Sequence, residues 1–145
     1  MEKFKIDHFE RENGVGSFPW FRSLEGCALA RLQDKIMTFF LDTFWFSPIE
    51  SMQKLSSVSK EIYQINAEDP NFSLKEMLYF FKIYPKDTLY INWYKFDRID
   101  EVRVADFCFC FDDVWYLGSD DIEFFDDTLG WMFSISHDGQ VSLKY

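Results

Sequence analysis

The residues best suited to chemistry in this sequence are the acidic residues of its last third. Three adjacent-Asp pairs occur there, at residues 112–113, 120–121 and 126–127, and Glu123 lies between the second and third pairs. Carboxylates this close together can bind a divalent cation, carry out acid–base catalysis or attract a cationic partner. The neighbouring residue types decide among these three chemistries.

A metal site has the weakest support of the three. Asp120, Asp121 and Glu123 place three carboxylates within four residues, but a calcium site needs about six or more oxygen ligands around a closed loop. The glycine-centred spacing of an EF-hand is absent, and neither of the two histidines, His8 and His137, lies near the group in sequence. A metal-dependent hydrolase that uses these three residues therefore stays an alternative, and no metal or cofactor is predicted.

Catalytic motifs are also missing. The sequence contains no G-x-S-x-G, no P-loop, no G-x-G-x-x-G and no H-E-x-x-H pattern. His137 precedes Asp138-Gly139, a pair typical of a tight hairpin turn. A role in the turn is thus favoured over a catalytic role, and we predict no catalytic residues and no enzymatic activity.

The charge is distributed unevenly along the chain, whose net charge is −10. Residues 1–103 carry 14 Lys and Arg against 16 Asp and Glu, whereas residues 104–143 contain nine acidic residues and no basic one. Local negative charge disfavours binding to nucleic acid or an anionic membrane, and it attracts a cationic partner. The alternative is that the acidity only keeps an aromatic-rich protein soluble.

Aromatic residues are interleaved with these acids. Rings commonly anchor protein interfaces, and carboxylates supply complementary charge. We therefore predict a partner-binding surface built from this segment: Asp112, Asp113, Trp115, Tyr116, Asp120, Asp121, Glu123, Phe125, Asp126 and Asp127. The alternative is that the rings pack inward while the acids line solvated turns.

The segment from Trp115 to Leu143 resembles the C-terminal end of small bacterial immunity proteins of polymorphic toxin and contact-dependent growth inhibition systems. The shared features are an acidic pair, a turn, a strand that begins at Trp131, and the hairpin at residues 137–139. The resemblance implies a cytosolic protein that binds one cognate toxin domain, often a basic nuclease, and blocks it. It implies no particular contact residues. The second candidate is an acidic nucleic-acid mimic of the anti-restriction or anti-CRISPR type.

Helices are predicted in the first part of the chain. Residues 2–12 fit either a helix or a strand. Apolar residues recur every four positions from Leu24 to Phe44, so a long helix is predicted with Ser23 as its N-cap. The apolar run at 37–46 predicts that this helix is buried on more than one side and forms the centre of the core. Ser47-Pro48-Ile49-Glu50 and Ser73-Leu74-Lys75-Glu76 predict two further helix starts, and residues 56–66 are ambiguous.

Strands are predicted after Pro85, where the apolar period changes to two. The predicted strands span residues 88–94, 102–111, 114–117, 130–136 and 140–145, and a hairpin joins the last two. This order predicts an α+β fold, with N-terminal helices packed on one face of a mainly antiparallel C-terminal β-sheet. A length of 145 residues predicts a single domain, residues 1–145.

The remaining features concern the compartment. Cys27, Cys108 and Cys110 are odd in number and form no C-x-x-C pair, which predicts free, buried thiols. The N-terminus lacks the apolar region of a signal peptide, and the most apolar stretch is too short to cross a bilayer. We therefore predict a cytoplasmic protein whose partner is a toxin domain rather than a nucleic acid or a membrane.

Overall fold

The computed structural model describes residues 1–44, 47–93 and 95–145, which form five helices and seven strands. The helices are α1 (Lys3–Asn13), α2 (Gly26–Leu41), α3 (Pro48–Ser57), α4 (Leu74–Phe80) and α5 (Val104–Val114). The strands are β1 (Phe21–Ser23), β2 (Lys60–Asn66), β3 (Thr88–Trp93), β4 (Ile99–Arg103), β5 (Ile122–Phe125), β6 (Met132–Ile135) and β7 (Gln140–Lys144).

All seven strands belong to one sheet with the order β1-β4-β3-β5-β6-β7-β2, and each neighbouring pair is antiparallel. The predicted α+β class and the mainly antiparallel sheet are therefore confirmed. Strands β1 and β2 come from the N-terminal half of the chain but form the two outer edges of the sheet. Their position ties the helical first half to the C-terminal strands.

Side chains alternate along each strand, so the sheet has two distinct faces. We call one the aromatic face: α1, α4 and α5 cover it, and it contains Ile91, Phe124, Phe133 and Leu143. We call the other the mixed face: α2 and α3 pack against its apolar part, around Phe125 and Met132. The helices are therefore divided between both faces, and the single helical layer expected from the sequence is only part of the arrangement.

Several local predictions are confirmed. The Ser47 hydroxyl accepts from the Glu50 backbone N–H and the Glu50 carboxylate accepts from the Ser47 N–H, a complete capping box at the start of α3. Ser73 caps α4 by accepting from the Glu76 N–H. The hairpin between β6 and β7 turns at Gly139, which has a φ of 79°. A side chain at Gly139 would collide with Asn66 and with the Glu68 backbone, so this turn requires glycine.

The predicted strand over residues 102–111 is wrong, because residues from Val104 onward form α5. The buried residues of α5 are Phe107, Cys110, Phe111 and Val114, which follow the i, i+3, i+4, i+7 spacing of one helix face and not the alternation of a strand. The rings of Phe107 and Phe111 also meet at 5.8 Å, as neighbours one helical turn apart do. The predicted strand at 114–117 is wrong too: residues 115–121 form a loop, and β5 follows it.

The predicted central role of the second helix is also wrong. α2 begins at Gly26 rather than after Ser23, which ends β1 and donates a hydrogen bond to Asp100. Only Ile36 and Met37 of α2 are buried, and Phe39 is 54% exposed. The helix covers one part of the mixed face, so a single apolar stripe is enough to hold it against the sheet. Trp45 and Phe46, at the end of the apolar run, and Tyr94, at the end of the strand predicted at 88–94, lie outside the described residues.

The cysteines are free, as predicted, but only Cys110 is buried and Cys27 is exposed. Burial raises the pKa of the Cys110 thiol to about 12, so this thiol is unreactive at neutral pH. Within the described part of the chain, no helix combines the length and apolar character needed to cross a bilayer.

Candidate functional site

The adjacent acidic residues of the last third do not form one continuous surface. Asp120 points into the protein, where it forms an ion pair with Lys5, whose side chain is completely buried. The same carboxylate accepts from the Tyr116 N–H at 2.8 Å, and the Asp120 carbonyl accepts from the Trp115 indole at 2.9 Å. These contacts join α1 to the loop after α5. Asp120 is therefore a structural residue in this fold.

Asp126 is also used internally. It is only 7% exposed, and its carboxylate accepts from the Thr128 N–H at 3.0 Å and from the Trp131 indole at 3.1 Å. The Thr128 hydroxyl donates to the same carboxylate. The carboxylate thus shapes the turn between β5 and β6 and satisfies a buried ring donor.

The predicted ring anchors lie mainly inside the fold. Phe125 is 0% exposed beneath α2, and Trp115 is 6% exposed and stacks on Phe111. Tyr116 is half-buried, and its ring lies against Phe4 and close to the Lys5 ammonium. A partner cannot reach Phe125 or Trp115 without disturbing the core.

The other predicted contacts are accessible to different degrees. Asp112 and Asp127 are exposed, and Asp113 is half-buried at the end of α5. Asp112 and Asp113 lie together in the last turn of α5, whereas Asp127 lies in the turn between β5 and β6. Asp121 and Glu123 remain, and both line the same groove.

This groove, which we call the acidic groove, lies between the end of α3 and strands β5, β6 and β7, next to the start of β2. Its volume is about 370 Å³. Three carboxylates and five serine hydroxyl groups line it, together with one amide and the apolar side chains of α3. These polar residues are Glu61, Asp121, Glu123, Ser56, Ser59, Ser134, Ser136, Ser142 and Gln140.

The register of the sheet explains this polar lining. Asn92 pairs with Glu123, Glu123 with Ser134, Ser134 with Ser142, and Ser142 with Glu61. Residues paired across antiparallel strands lie on the same face, so these five side chains form one row across the mixed face. The next row contains Phe125 and Met132, which α2 covers. The acidic groove is therefore the part of the mixed face that the helices leave open.

Glu123 has the most perturbed environment in the groove. It is partly exposed to the groove, and the Asn92 amide donates to its carboxylate. Burial nevertheless dominates and raises the pKa of Glu123 to about 7, with a further contribution from the charge of Asp121. Lys144 is buried on the same face, and burial lowers its pKa to about 8. The charge of Lys144 opposes the rise in the pKa of Glu123 without cancelling it, so the negative charge of Glu123 is only partly balanced.

Asp121 forms an exposed pair with His137 at the mouth of the groove. The Asp121 carboxylate accepts from the His137 backbone N–H at 2.7 Å and lies 2.9 Å from His137 Nδ1. The hydrogen bond and the charge of Asp121 raise the pKa of His137. His137 therefore has a role in the turn, as predicted, and adds a contact between β7 and the loop that precedes β5.

The arrangement does not favour metal chemistry. Asp120 faces Lys5, Asp121 faces His137 and Glu123 faces Asn92, so the three carboxylates do not converge. Among the described residues, no group of three or more His, Cys, Asp or Glu is placed to hold a metal ion. The groove can instead accept hydrogen bonds from, and neutralise, a cationic group.

Sequence reasoning missed several residues of the site. Glu61 lies in residues 56–66, where the sequence does not distinguish a helix from a strand, and Asn92, Ser134 and Ser142 are not among the predicted site residues. A signal did exist, because Ser134 and Ser142 each stand between two apolar residues of a strand, and polar residues at alternate positions face away from the main core. The pairing that brings them together depends on contacts between strands far apart in sequence.

Comparison of the chain with protein-family models, with curated proteins and with solved structures found no match in any of the three.

Proposed function

We propose that this protein is a non-enzymatic immunity protein, which acts in the bacterial cytoplasm by binding a cationic toxin domain through the acidic groove and the exposed acids around it. The observation that carries the proposal is the incompletely balanced charge of Glu123 in an open groove. A Lys or Arg side chain entering the groove would provide the missing positive charge. Such a contact favours a cationic partner over a neutral one.

The wider charge distribution supports the same partner. The chain has a net charge of −10, and Glu61 and Asp121 line the groove with Glu123. The exposed Asp138 lies in the adjacent hairpin turn. An accumulation of negative charge around a concave site speeds the approach of a cationic protein and selects against anionic ones. An inhibitor that covers the active site of a basic toxin needs both properties.

The structure also changes which residues we propose as contacts. Asp121 and Glu123 are kept, and Glu61 is added as their neighbour in the groove. Asp127 remains a proposed contact at the surface, whereas Asp112 and Asp113 lie in α5, which covers the other face of the sheet. Asp120, Asp126, Trp115 and Phe125 are better explained by their internal contacts.

The test is the association rate with the toxin domain encoded beside this gene, measured over a range of ionic strength. We expect the Asp121→Asn, Glu123→Gln double variant to bind about tenfold or more weakly and to show a flatter salt dependence. Asp7→Asn is the matched control, because Asp7 is exposed on α1, away from the groove. Absence of binding to the neighbouring gene product would overturn the proposal. An equal loss of affinity in Asp7→Asn would show that the groove is not the contact surface.

The range of enzymes that the protein inhibits distinguishes an immunity protein from the second candidate, an acidic nucleic-acid mimic. An immunity protein should bind its cognate toxin and leave unrelated basic nucleases active. Inhibition of several unrelated nucleic-acid enzymes at similar concentrations would instead indicate an acidic nucleic-acid mimic. Both experiments use the full chain and need no variant that risks the fold.

A further inference from the structure

The sheet has an open edge at β2 that the proposed function does not use. β2 is the outermost strand: it pairs with β7 on one side, and no described strand pairs with it on the other. All seven of its residues are exposed or partly exposed, and Tyr63 is 87% exposed. Backbone N–H and C=O groups that point away from β7 must bond to water or to another chain.

A second groove lies directly beside this edge, between β2 and α4. Its volume is about 420 Å³, and its apolar lining comes from Ile65, Phe72, Met77 and Phe80. Phe80 is 65% exposed, yet its ring contacts Phe81 at 5.0 Å, and the ring of Phe81 contacts core residue Phe133 at 5.5 Å. The groove therefore presents an accessible ring that is held against the core.

The polar lining of this groove carries negative charge only. Asp69 and Glu76 are its charged residues, and the amides of Gln64, Asn66 and Asn71 also line it. Among the described residues, no Lys or Arg lines it. An open strand edge beside a helix, with an apolar groove between the two, fits an extended peptide that adds one strand to the sheet. Apolar side chains at alternate positions of that peptide would occupy the groove. The cationic side chains between them would point to the other face of the added strand, where the charges of Asp69 and Glu76 would still attract them.

We propose that the β2 edge and the groove beside α4 bind a short extended segment of a partner polypeptide, rich in apolar and Lys or Arg residues, as an added strand. This surface differs from the acidic groove, and the proposal does not depend on the partner being a toxin. The pairing of β2 with β7 shifts register between Glu61 and Asn66. Such an irregularity limits regular pairing to a few residues, which fits a short segment rather than a long strand.

A second copy of this chain is a poorer occupant than a basic segment. Pairing two β2 edges would bring two copies of Asp69 and Glu76 towards the same region, since both residues lie beside the edge. Each copy also carries a net charge of −10. Like charges held close together oppose association, whereas Lys or Arg at alternate positions of a peptide would offset them.

The test uses the full chain and a fluorescein-labelled hexapeptide, Lys-Val-Lys-Val-Lys-Val, with binding measured by fluorescence anisotropy and mapped on backbone amide NMR signals. We expect saturable binding, with shifts confined to residues 60–66, 69–73 and 76–80. Phe80→Ala should weaken binding about tenfold. The matched control is Phe109→Ala, which removes a 78% exposed ring from α5 and should leave binding unchanged.

Two altered peptides test the mode of binding. N-methylation of every backbone amide of the peptide removes the donors on both strand edges and should abolish binding if the peptide joins the sheet. Replacing the lysines with glutamates should abolish it if Asp69 and Glu76 select the charge. If Phe80→Ala fails to fold, Glu76→Lys on the exposed side of α4 takes its place and should weaken binding of the lysine peptide severalfold.

Four results of the peptide-binding experiments would overturn the proposal. These are no saturable binding of the lysine peptide, equal binding of the N-methylated peptide, equal binding of the glutamate peptide, and shifts confined to the serines of the acidic groove. Sedimentation that reveals a dimer abolished by Phe80→Ala would also overturn it, because the occupant would then be a second copy of the chain.

Discussion

Asp120 and Asp121 are adjacent in sequence but lie in opposite environments, and Asp126 and Asp127 repeat the contrast. In each pair the first carboxylate enters the fold, where it accepts from buried donors: Lys5 for Asp120, and the Trp131 indole for Asp126. The second carboxylate remains accessible to solvent. Each of these two pairs therefore combines one structural residue with one surface residue, and its net charge overstates the charge available to a partner.

Substitution of Asp120 should have the largest effect on stability. Asp120→Asn leaves the buried Lys5 ammonium without its counter-charge, so we expect the free energy of unfolding to fall by about 3–5 kcal/mol. Asp121→Asn changes the same side chain one residue later and should leave stability within about 0.5 kcal/mol. Urea unfolding of both variants measures the difference.

A double variant sharpens this test of the ion pair. Lys5→Met combined with Asp120→Asn removes the buried charge together with its partner, so much of the lost stability should return. Equal losses of unfolding free energy in Asp120→Asn and Asp121→Asn would contradict the distinction between a structural and a surface carboxylate. A double variant no more stable than Asp120→Asn would mean that hydrogen bonds of Asp120, such as the one from the Tyr116 N–H, carry the stability.

The second expected effect is on Asp126. In Asp126→Asn the carbonyl oxygen can still accept from the Thr128 N–H, but the NH2 group that replaces the other carboxylate oxygen cannot accept from the Trp131 indole. A buried donor without a partner costs about 1–3 kcal/mol. Thermal unfolding followed by tryptophan fluorescence measures this loss, with Asp127→Asn as the neighbouring control. A loss in the control as large as that in Asp126→Asn would contradict the distinction within this pair.

Glu123 should show the third effect, in the dependence of stability on pH. Its pKa is raised to about 7, so the folded state holds a proton that the unfolded state, with a pKa near 4.5, releases. Stability from this proton is present below the unfolded pKa and is lost as the pH rises towards 7 and through it. Glu123→Gln keeps an acceptor for Asn92 and removes the titration.

The variant should therefore match the wild type near pH 4 and exceed it at pH 8. The full pKa shift corresponds to about 3 kcal/mol, and the partial exposure of Glu123 to solvent reduces the expected difference to about 1–2 kcal/mol. Urea unfolding across this pH range gives both curves. Glu61→Gln is the control, because Glu61 lines the same groove but is exposed. Curves for Glu123→Gln and wild type that remain parallel would show that Glu123 is ionised without strain, which would remove the main support for a cationic partner.

Local sequence signals predicted much of the fold correctly. The Ser47 and Ser73 caps, the period-two segment of β3 and the Asp138-Gly139 turn each depend on residues within a few positions of one another. The failures lie where two local patterns coincide. Residues 104–114 place apolar side chains at both helical and alternating positions, and only packing against the aromatic face decides for the helix.

The site was less predictable than the fold for a related reason. Asp121 and Glu123 could be identified from the charge of their segment. Glu61 lies beside them only because β2 pairs with β7. The internal roles of Asp120 and Asp126 depend on Lys5 and Trp131, and Lys5 is more than a hundred residues from Asp120 in sequence. No local pattern indicates which carboxylate of a pair meets a buried donor.

The smallest expected effect concerns the exposed pair of Asp121 and His137. Asp121 raises the pKa of His137 above its usual value near 6.5, so Asp121→Asn should return it towards that value. A raised histidine pKa adds stability below the unfolded pKa, and this stability is lost as the pH rises through the folded pKa. NMR titration of the two histidine rings gives the measurement, with His8 as the internal control. A His137 pKa unchanged in Asp121→Asn would mean that Asp121 points away into the groove, where it would be fully available to a cationic partner.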